Sequence, residues 1–312
     1  MVVARSLTDI HYDKNSVVTI GTFDGVHLGH QTIIREVLTR ARARKGRSMI
    51  VTFDPHPRDV VGRGPVDRLT TDEERLTLFE TLGIDATLVV NFTYEFSRLA
   101  PEEFYESYIV HNVGVAEVVE GHDHMFGRDR QAGVESLLRL GKRYGFISIT
   151  VPPVMIGTEA VSSTAIREML RAGNVEKAGQ FLGRAYSLSG IVVKGDGRGK
   201  ELGFPTANIQ PDVVNKMIPA NGVYIVKAQF DHREVFGMLN IGVRPTFRSD
   251  QHRTVEVHLL DVAEQLYGKH ISIFFLKHVR QERKFSSKED LIAQLHHDKE
   301  TSMKYIDALQ LS

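Results

Sequence analysis

Over its first half the chain alternates in strict turn between short β-branched apolar runs and stretches of helical periodicity, and few folds accept that order. The apolar runs fall at residues 17–20, 49–53, 88–92, 115–119 and 147–151, each flanked by turn or polar residues. Runs of this length and composition read as parallel strands buried on both faces. Between the first two, Ile34, Val37, Leu38 and Ala41 share one helical face, and Gly46 supplies a stop. Thr70 with Glu73 has the spacing of a capping box ahead of Leu76, Phe79 and Leu82, with Gly83 as the stop. Pro101 fits the first position of a further helix through Phe104, Tyr105 and Tyr108. Strands and helices in alternation predict an α/β domain, a parallel sheet covered on both faces. A last helical stretch at 163–171, with the residues to about 183, closes it.

From Tyr186 the texture changes. Strand-like runs at 188–193, 223–230, 235–241, 254–260 and 271–275 follow one another with turn residues between them and no helices. That pattern predicts an antiparallel sheet closed into a small β-barrel. Ser286 and Glu289 read as a capping box opening a terminal helix with Leu291, Ile292 and Leu295 on its apolar face. With 312 residues the chain has room for both, and the expected domains are 1–183 and 184–312.

Composition removes several classes of function. There is no cysteine, which excludes disulfides, thiolate metal sites and cysteine nucleophiles. Lys+Arg and Asp+Glu balance at 39 each, so no global field favours nucleic acid or an anionic membrane. One basic run, RARARKGR at 40–47, reads as a solvated helix end, with a phosphate-steering patch as the alternative. The amino terminus is too polar for a signal peptide, and no apolar run reaches the roughly 18 residues of a membrane span. The expectation is a cytoplasmic protein with small-molecule partners, no nucleic acid or membrane partner, and room for a weak homo-oligomer.

The most informative segment is GTFDGVHLGH at 21–30, directly after the first strand and leading into the first helix. In an open parallel sheet that position is the carboxyl end of a strand, where ligands bind. Gly21, Gly25 and Gly29 allow a tight turn and close approach to a phosphate. The helix start offers N–H groups and a positive dipole end. Phe23 and Asp24 lie within the same turn and count with its glycines as candidate ATP-binding residues, and His27 and His30, three apart, can share one face of the opening turn. Two imidazoles there suit adenylyl transfer: when the α-phosphorus of ATP is attacked, charge grows on the departing pyrophosphate, and fixed donors lower the barrier. Zinc usually requires three protein ligands and no third is evident. The dinucleotide spacing G-x-G-x-x-G is absent. Far downstream, Ser162, Ser163 and Thr164 at a helix start, with Arg167, form a second phosphate-binding set of hydroxyls, N–H groups and a guanidinium fork.

These segments resemble the His-x-Gly-His nucleotidyltransferases, and Val161-Ser-Ser-Thr-Ala-Ile-Arg167 is similar to that superfamily's triphosphate-binding stretch. The FDPHP segment at 53–57 and GHDHMFG at 121–127 resemble parts of the bacterial bifunctional riboflavin kinase/FAD synthetase family. The resemblance implies a flavin-holding role for Pro55, His56 and Pro57, and a nucleotide-end role for Asp123. His124 and Met125 depart from the family's pattern.

The second half opens with a loop bearing Gly195, Gly197, Gly199 and Gly203 around Arg198 and Lys200. Such a loop can fold its N–H groups around phosphates, although the Walker A spacing fails. Pro205-Thr-Ala-Asn208 follows. On an extended segment Thr206 and Asn208 point the same way and offer hard oxygen ligands suited to Mg²⁺. This run resembles the riboflavin kinase signature, in which the Thr and Asn bind the Mg–nucleotide. The family's acidic catalytic residue falls on Glu256, and its flavin-side segment on Arg280 and Glu282 before Phe285. A carboxylate there could accept the proton of the ribityl hydroxyl as it attacks the γ-phosphate.

Taken together, the resemblance implies a Rossmann-like FMN adenylyltransferase domain joined to a β-barrel riboflavin kinase. Riboflavin would be phosphorylated to FMN and FMN adenylylated to FAD, with ATP as co-substrate and Mg²⁺ serving both steps. The alternatives are a nucleotidyltransferase with another phosphate acceptor, and a flavin-binding sensor or carrier without turnover.

Overall fold

A computed structural model of the chain describes residues 1–62, 64, 66–122, 133–195, 197–243, 253–262 and 264–311. By packing, these divide into two compact units, Met1–Ser163 and Thr164–Ser312.

The first unit is built on six parallel strands: β1 Val2–Ala4, β2 Val17–Ile20, β3 Ser48–Asp54, β4 Ala86–Asn91, β5 Glu117–Gly121 and β6 Ile147–Val151. Five match the apolar runs of the sequence within two residues at each end. The sixth, β1, is a three-residue edge strand whose side chains are mostly exposed, so it leaves little hydrophobic signal. The order is β1-β4-β3-β2-β5-β6. From β2 the chain winds to one side through β3 and β4, then returns to lay β5 on the other flank of β2. That reversal makes the end of β2 the switch point of the sheet.

Both faces are covered. On one, Val18, Ile20, Met49, Val51 and Val118 pack with Phe104, Tyr105, Ile109 and Leu137. On the other, Val17, Ile50 and Val119 pack with Ile34, Val37 and Leu38 of helix α1 (Leu28–Arg44) and with Phe79. Alternate strand residues thus serve opposite cores, which explains why the strands are apolar throughout rather than alternating. Between β3 and β4 run helices α2 (Pro57–Val60) and α3 (Asp72–Leu82). Helices α4 (Tyr94–Ser97) and α5 (Pro101–Phe104) follow, and α5 continues as a π-helix at Tyr105–Val113. Helix α6 (Val134–Tyr144) precedes β6, and a ribbon of β7 (Met155–Ile156) and β8 (Glu159–Ala160) ends the unit.

Local signals are displaced by one residue in three places. The capping box of α3 is Thr71 with Glu74, not Thr70 with Glu73. Both frames satisfy the pattern, but Thr70 is drawn away by Asp24. Helix α1 ends at Lys45 in the left-handed region (φ 54°), one residue before Gly46. The terminal helix is capped by Ser287, which accepts from the Asp290 N–H, while Ser286 turns its hydroxyl to the Asp290 carboxylate. The basic run at 40–47 is neither a solvated end nor a steering patch throughout. Arg40 and Arg44 both pair with the buried Glu117 at 2.9 and 3.0 Å, and Arg47 donates to the carbonyls of His11 and Val113 and to Ser16 Oγ.

In the second unit, helices α7 (Ser163–Arg171) and α8 (Val175–Leu182) precede a closed six-stranded antiparallel barrel. Its strands are β9 Tyr186–Val193, β10 Ala207–Pro211, β11 Gly222–Phe230, β12 Arg233–Val243, β13 Arg253–Leu259 and β14 His270–Arg280. A four-residue helix, α9 (Arg198–Glu201), interrupts the glycine-rich loop. The sequence shows five of the barrel strands; β10 is the one that closes the barrel between β9 and β13. Helix α8 lies against β14 and β9, and Ala220 N–H donates to the carbonyl of Leu170. The helical stretch read from sequence as the end of the first domain therefore packs with the barrel.

Helix α10 (Lys288–Gln310) is tied down by one buried ion pair. Arg280 Nε and Nη2 grip both oxygens of Asp298, at 2.7–3.0 Å, and Asp298 is 1% exposed. Gln294 adds a bond to the same carboxylate. Removing one partner of such a pair strands the other's charge, so Asp298→Ala should cost about 3 kcal/mol. Calorimetry should show the transition of the barrel unit moving down by several degrees, with that of the first unit unmoved.

Candidate active sites

The turn at the switch point is held in an unusual conformation. Phe23 (φ 51°), Gly25 (φ 87°) and Val26 (φ 40°) all lie in the left-handed region, which a β-branched residue enters only at a cost. Asp24 supplies the compensation. Its carboxylate, 3% exposed, accepts from the Leu69 and Thr70 N–H groups at 3.0 Å and from the Thr70 hydroxyl at 3.2 Å. Thr70 Oγ1 in turn accepts from the Gly25 N–H, and Ser163 Oγ donates to the Asp24 carbonyl at 2.9 Å. Asp24 thus holds the turn rather than offering its carboxylate outward. Gly21 and Gly29 are tight for another reason: a Cβ on Gly21 would meet the Phe23 ring, and one on Gly29 the His27 ring, each at 3.2 Å.

His27 is the N-cap of α1, and its Nδ1 accepts from the His30 N–H at 3.3 Å. A neutral ring that accepts through Nδ1 carries its proton on Nε2. The two imidazoles stack at 3.6 Å with 17° between their planes, and Phe23 closes edge-on against His30 at 5.1 Å. Two donors on parallel rings at a helix N-terminus, on the carboxyl edge of a parallel sheet, can bind a multiply charged phosphate chain.

The second loop expected at this site follows β3. Pro57 takes the first position of α2, and His56, buried, caps that helix by accepting from the Arg58 N–H at 3.2 Å. Pro55 precedes them after Asp54. Ser162 and Ser163 lie in the segment joining β8 to α7 and at its first turn. Thr164, exposed, and Arg167, buried, stand on α7 in the second unit. Asp123, His124 and Met125 lie outside the described residues.

In the barrel, adjacent strands bring two expected residues, Asn208 and Glu256, into one row with Asn240. Asn208 on β10 stands opposite Glu256 on β13, and Glu256 stands opposite Asn240 on β12. Thr206 Oγ1 donates to Glu256 Oε2 at 3.4 Å. Gly195 and Gly199 border this row: a Cβ on Gly195 would strike the Asn208 amide, and one on Gly199 would meet Thr206 Oγ1 at 3.0 Å. Arg198 and Lys200 belong to α9, and their side chains lie outside the described residues. Pro205 is exposed, and its carbonyl accepts from His258 Nδ1 at 2.8 Å. The oxygens of Thr206 and Asn208 are the neutral, hard donors that Mg²⁺ accepts beside substrate phosphates. Among the described residues no cluster of three His, Asp or Glu side chains could hold a metal unaided.

The expected flavin-side residues are less available. Arg280 is committed to Asp298 and to the Gln281 carbonyl, with the Phe285 ring 5.8 Å from its guanidinium. Glu282 accepts from Asn221 at 3.3 Å and closes on Gly242, where a Cβ would meet its carboxylate. A hollow of about 470 Å³ beside them is lined by Arg283, Phe285, Ser286, Ala293 and Gln294.

Both halves of the chain match models of known families. Residues 9–165 match the FAD synthetase family, and residues 182–306 match riboflavin kinase. The bifunctional riboflavin kinase/FMN adenylyltransferase of Listeria monocytogenes is 37% identical over 97% of this chain and 96% of its own length. Those of Bacillus subtilis and Escherichia coli K12 are each 35% identical, over 95% and 94% of this chain and 94% and 93% of their own lengths. The chain belongs to the bifunctional riboflavin kinase/FMN adenylyltransferase family. It is a transferase of FAD synthesis, acting on riboflavin, FMN and ATP. A crystal structure of the macrolide-efflux protein from Streptococcus pneumoniae has the same fold, with a TM-score of 0.87 and 30% identity over 97% of this chain and 98% of that one. Among the described residues of this transferase, no helix is long and apolar enough to cross a membrane.

Sequence reasoning passed over two buried charged residues at the carboxyl edge of the sheet, Arg75 and Glu120. Arg75 follows three acidic residues and Glu120 ends an apolar run, so each reads as ordinary surface charge, and only its burial draws notice. Glu120, on β5 and 2% exposed, has its pKa pushed up to about 7 by burial, with weak bonds from Ser148 and Thr150 opposing. Burial and the Glu120 charge together hold the Tyr105 hydroxyl well above its ordinary range. The folded chain keeps a proton on Glu120 that the unfolded chain loses near its ordinary pKa of 4.5. Stability therefore falls as pH rises from about 4.5 to 7, and the full penalty, on the order of 3 kcal/mol, applies above that range. Glu120→Gln should raise the unfolding midpoint at pH 8, and most of that gain should vanish by about pH 5. A gain independent of pH would contradict the assignment.

Proposed function

We propose that the two reactions are carried by separate sets of residues, with the functional division at 1–183 and 184–312. The observation that carries this reading is the pairing of two complete and chemically different constellations. One is a stacked histidine pair at a helix start; the other is Asn208 and Glu256 paired across a barrel, with Thr206 bonded to Glu256.

In the first, FMN attacks the α-phosphorus of ATP through a phosphate oxygen. That O–P bond forms as the α–β bridge breaks, and pyrophosphate leaves with the growing charge. His27 and His30, with the α1 N-terminus, would stabilise that charge. Ser162, Ser163, Thr164 and Arg167 would hold the triphosphate. Gly21, Gly25 and Gly29 allow its close approach, and Phe23 and Asp24 keep the turn in shape. Asp123 would sit at the nucleotide end, and Pro55, His56 and Pro57 would hold the flavin.

In the second, Glu256 would accept the proton of the terminal ribityl hydroxyl as that oxygen attacks the γ-phosphorus, releasing ADP. The Thr206 hydroxyl donated to Glu256 holds the carboxylate in place. The loop of Gly195, Arg198, Gly199 and Lys200, continued by Pro205, would follow the nucleotide phosphates. Mg²⁺, held by the oxygens of Thr206 and Asn208, would neutralise phosphate charge. Arg280 and Glu282, with the hollow beside Phe285, would face the flavin, and Arg280, through Asp298, would also fix the middle of α10. We place the enzyme in the cytoplasm with small-molecule partners, weak self-association at a homo-oligomeric contact, and no nucleic acid; the balance of 39 basic and 39 acidic residues favours the last of these.

Single substitutions should separate the reactions. Glu256→Ala should lower FMN formation about 10²–10⁴-fold while FAD formation from supplied FMN persists. His30→Ala should lower FAD formation about 10²–10³-fold and leave riboflavin phosphorylation intact. Flavins followed by chromatography during turnover measure both at once. Equal loss of both activities in a folded variant would refute the two-site assignment, and binding of riboflavin without ATP consumption by the unaltered chain would favour a sensor.

A further inference from the structure

Strands β2 and β3 share a parallel ladder from Val17–Ser48 to Ile20–Val51, closed by the Gly21 N–H on the Val51 carbonyl. Beyond it the two strands part. One chain enters the turn of Phe23–His27 and the other continues to Phe53 and the Pro55–Pro57 loop. In the gap lies Arg75 of α3, 4% exposed. Its Nη1 donates to the Thr22 carbonyl at 3.0 Å and its Nη2 to the Phe53 carbonyl at 3.2 Å. Nη2 also pairs with Asp72 at 2.8 Å, and Arg68 links Asp72 onward to Asp59 of α2. Burial draws the Arg75 pKa down, and the charges of Asp72, Asp24 and Asp54 oppose it.

We propose that Arg75 is a positioning residue for adenylyl transfer. Its guanidinium takes over where the ladder stops and fixes the loop that carries His27 and His30 relative to the loop that carries His56. The inference rests on the proposed roles of those two loops. A planar fork with several N–H donors in set directions can hold two carbonyls and a carboxylate at once, which an ammonium on a flexible stem does less well. The reaction needs this, because the FMN phosphate oxygen must lie in line with the α-phosphorus and the leaving pyrophosphate. A displacement of about 1 Å between reacting groups can cost on the order of 10²-fold in rate. Each loop keeps its own anchors without Arg75: Asp24 on Leu69 and Thr70 for the first, and the His56 cap of α2 for the second. The loss should therefore appear in the alignment of two bound substrates rather than in the binding of either.

The test uses the full chain and assays both activities on one preparation. Arg75→Met should lower kcat for FAD formation from FMN and ATP by about 10²-fold. KM for each substrate should change by less than about threefold, and riboflavin phosphorylation should be unaltered. Arg75→Lys should fall between the two. If KM rises with kcat unchanged, or kcat stays within about threefold of the parent, the positioning role is overturned. Should Arg75→Met fail to fold, Arg75→Lys assayed well below its melting midpoint decides: a kcat deficit in a native chain supports the role, and full activity refutes it. His30→Ala in the same assay separates the two levels of inference. If it leaves FAD formation intact, the site assignment fails; if it abolishes FAD formation while Arg75→Met does not, only the role of Arg75 fails.

Discussion

A parallel sheet cannot carry its hydrogen bonds past the point where its strands diverge, and the first unit is organised around what replaces them. Backbone groups at the carboxyl edge still need partners when they are buried. Here the substitutes are ionised side chains on the 66–75 segment and its neighbours. Arg75 donates to the carbonyl of Thr22 in the turn after β2 and to that of Phe53 on β3, while the N–H groups of Leu69 and Thr70 are used by Asp24. Charged groups serve this purpose well, because bonds to them are about twice as strong as neutral ones. They also tolerate the positive φ of Phe23 and Val26, which neutral packing alone would release.

The barrel meets the same requirement by closure. Six antiparallel strands pair around the ring, so the described ladder has no free edge, and residues facing one another across strands are fixed by register. Register is what aligns Asn208, Glu256 and Asn240, residues distant in sequence, into a single row. The two units therefore hold their candidate sites by opposite devices. One uses loops propped by buried charge at a strand edge; the other uses side chains standing on paired strands. The first arrangement is open to distortion by a single distant residue, whereas the second inherits the stiffness of the ladder.

Buried charge also marks the limits of a reading based on pattern. Glu117 gathers Arg40 and Arg44, Asp298 gathers Arg280, and Glu120 stays near neutrality beside Tyr105. In a list of residues each looks like ordinary surface charge. Arg280 shows the consequence: a motif marks it as a flavin-side residue, and only the fold shows that its guanidinium holds α10. The capping boxes make a similar point on a smaller scale. Thr70 and Thr71 are equivalent in sequence, and only the presence of Asp24, 46 positions before Thr70, makes Thr71 the cap.

Periodicity and short motifs were enough to determine the class of both domains, five strands of each sheet, the buried face of α1 and the meeting of His27 with His30 at the start of α1. These are local properties: a strand buried on both faces must be apolar throughout, and a phosphate turn needs glycine and donors in close succession. The pairing of β10 with β9 and β13, the packing of α7 and α8 with the barrel, and the partners of Asp24, Arg75 and Arg280 were settled only by tertiary structure. Each depends on groups far apart in the chain meeting in a medium of low dielectric, where the cost of leaving a charge or a backbone group unpaired outweighs any local preference.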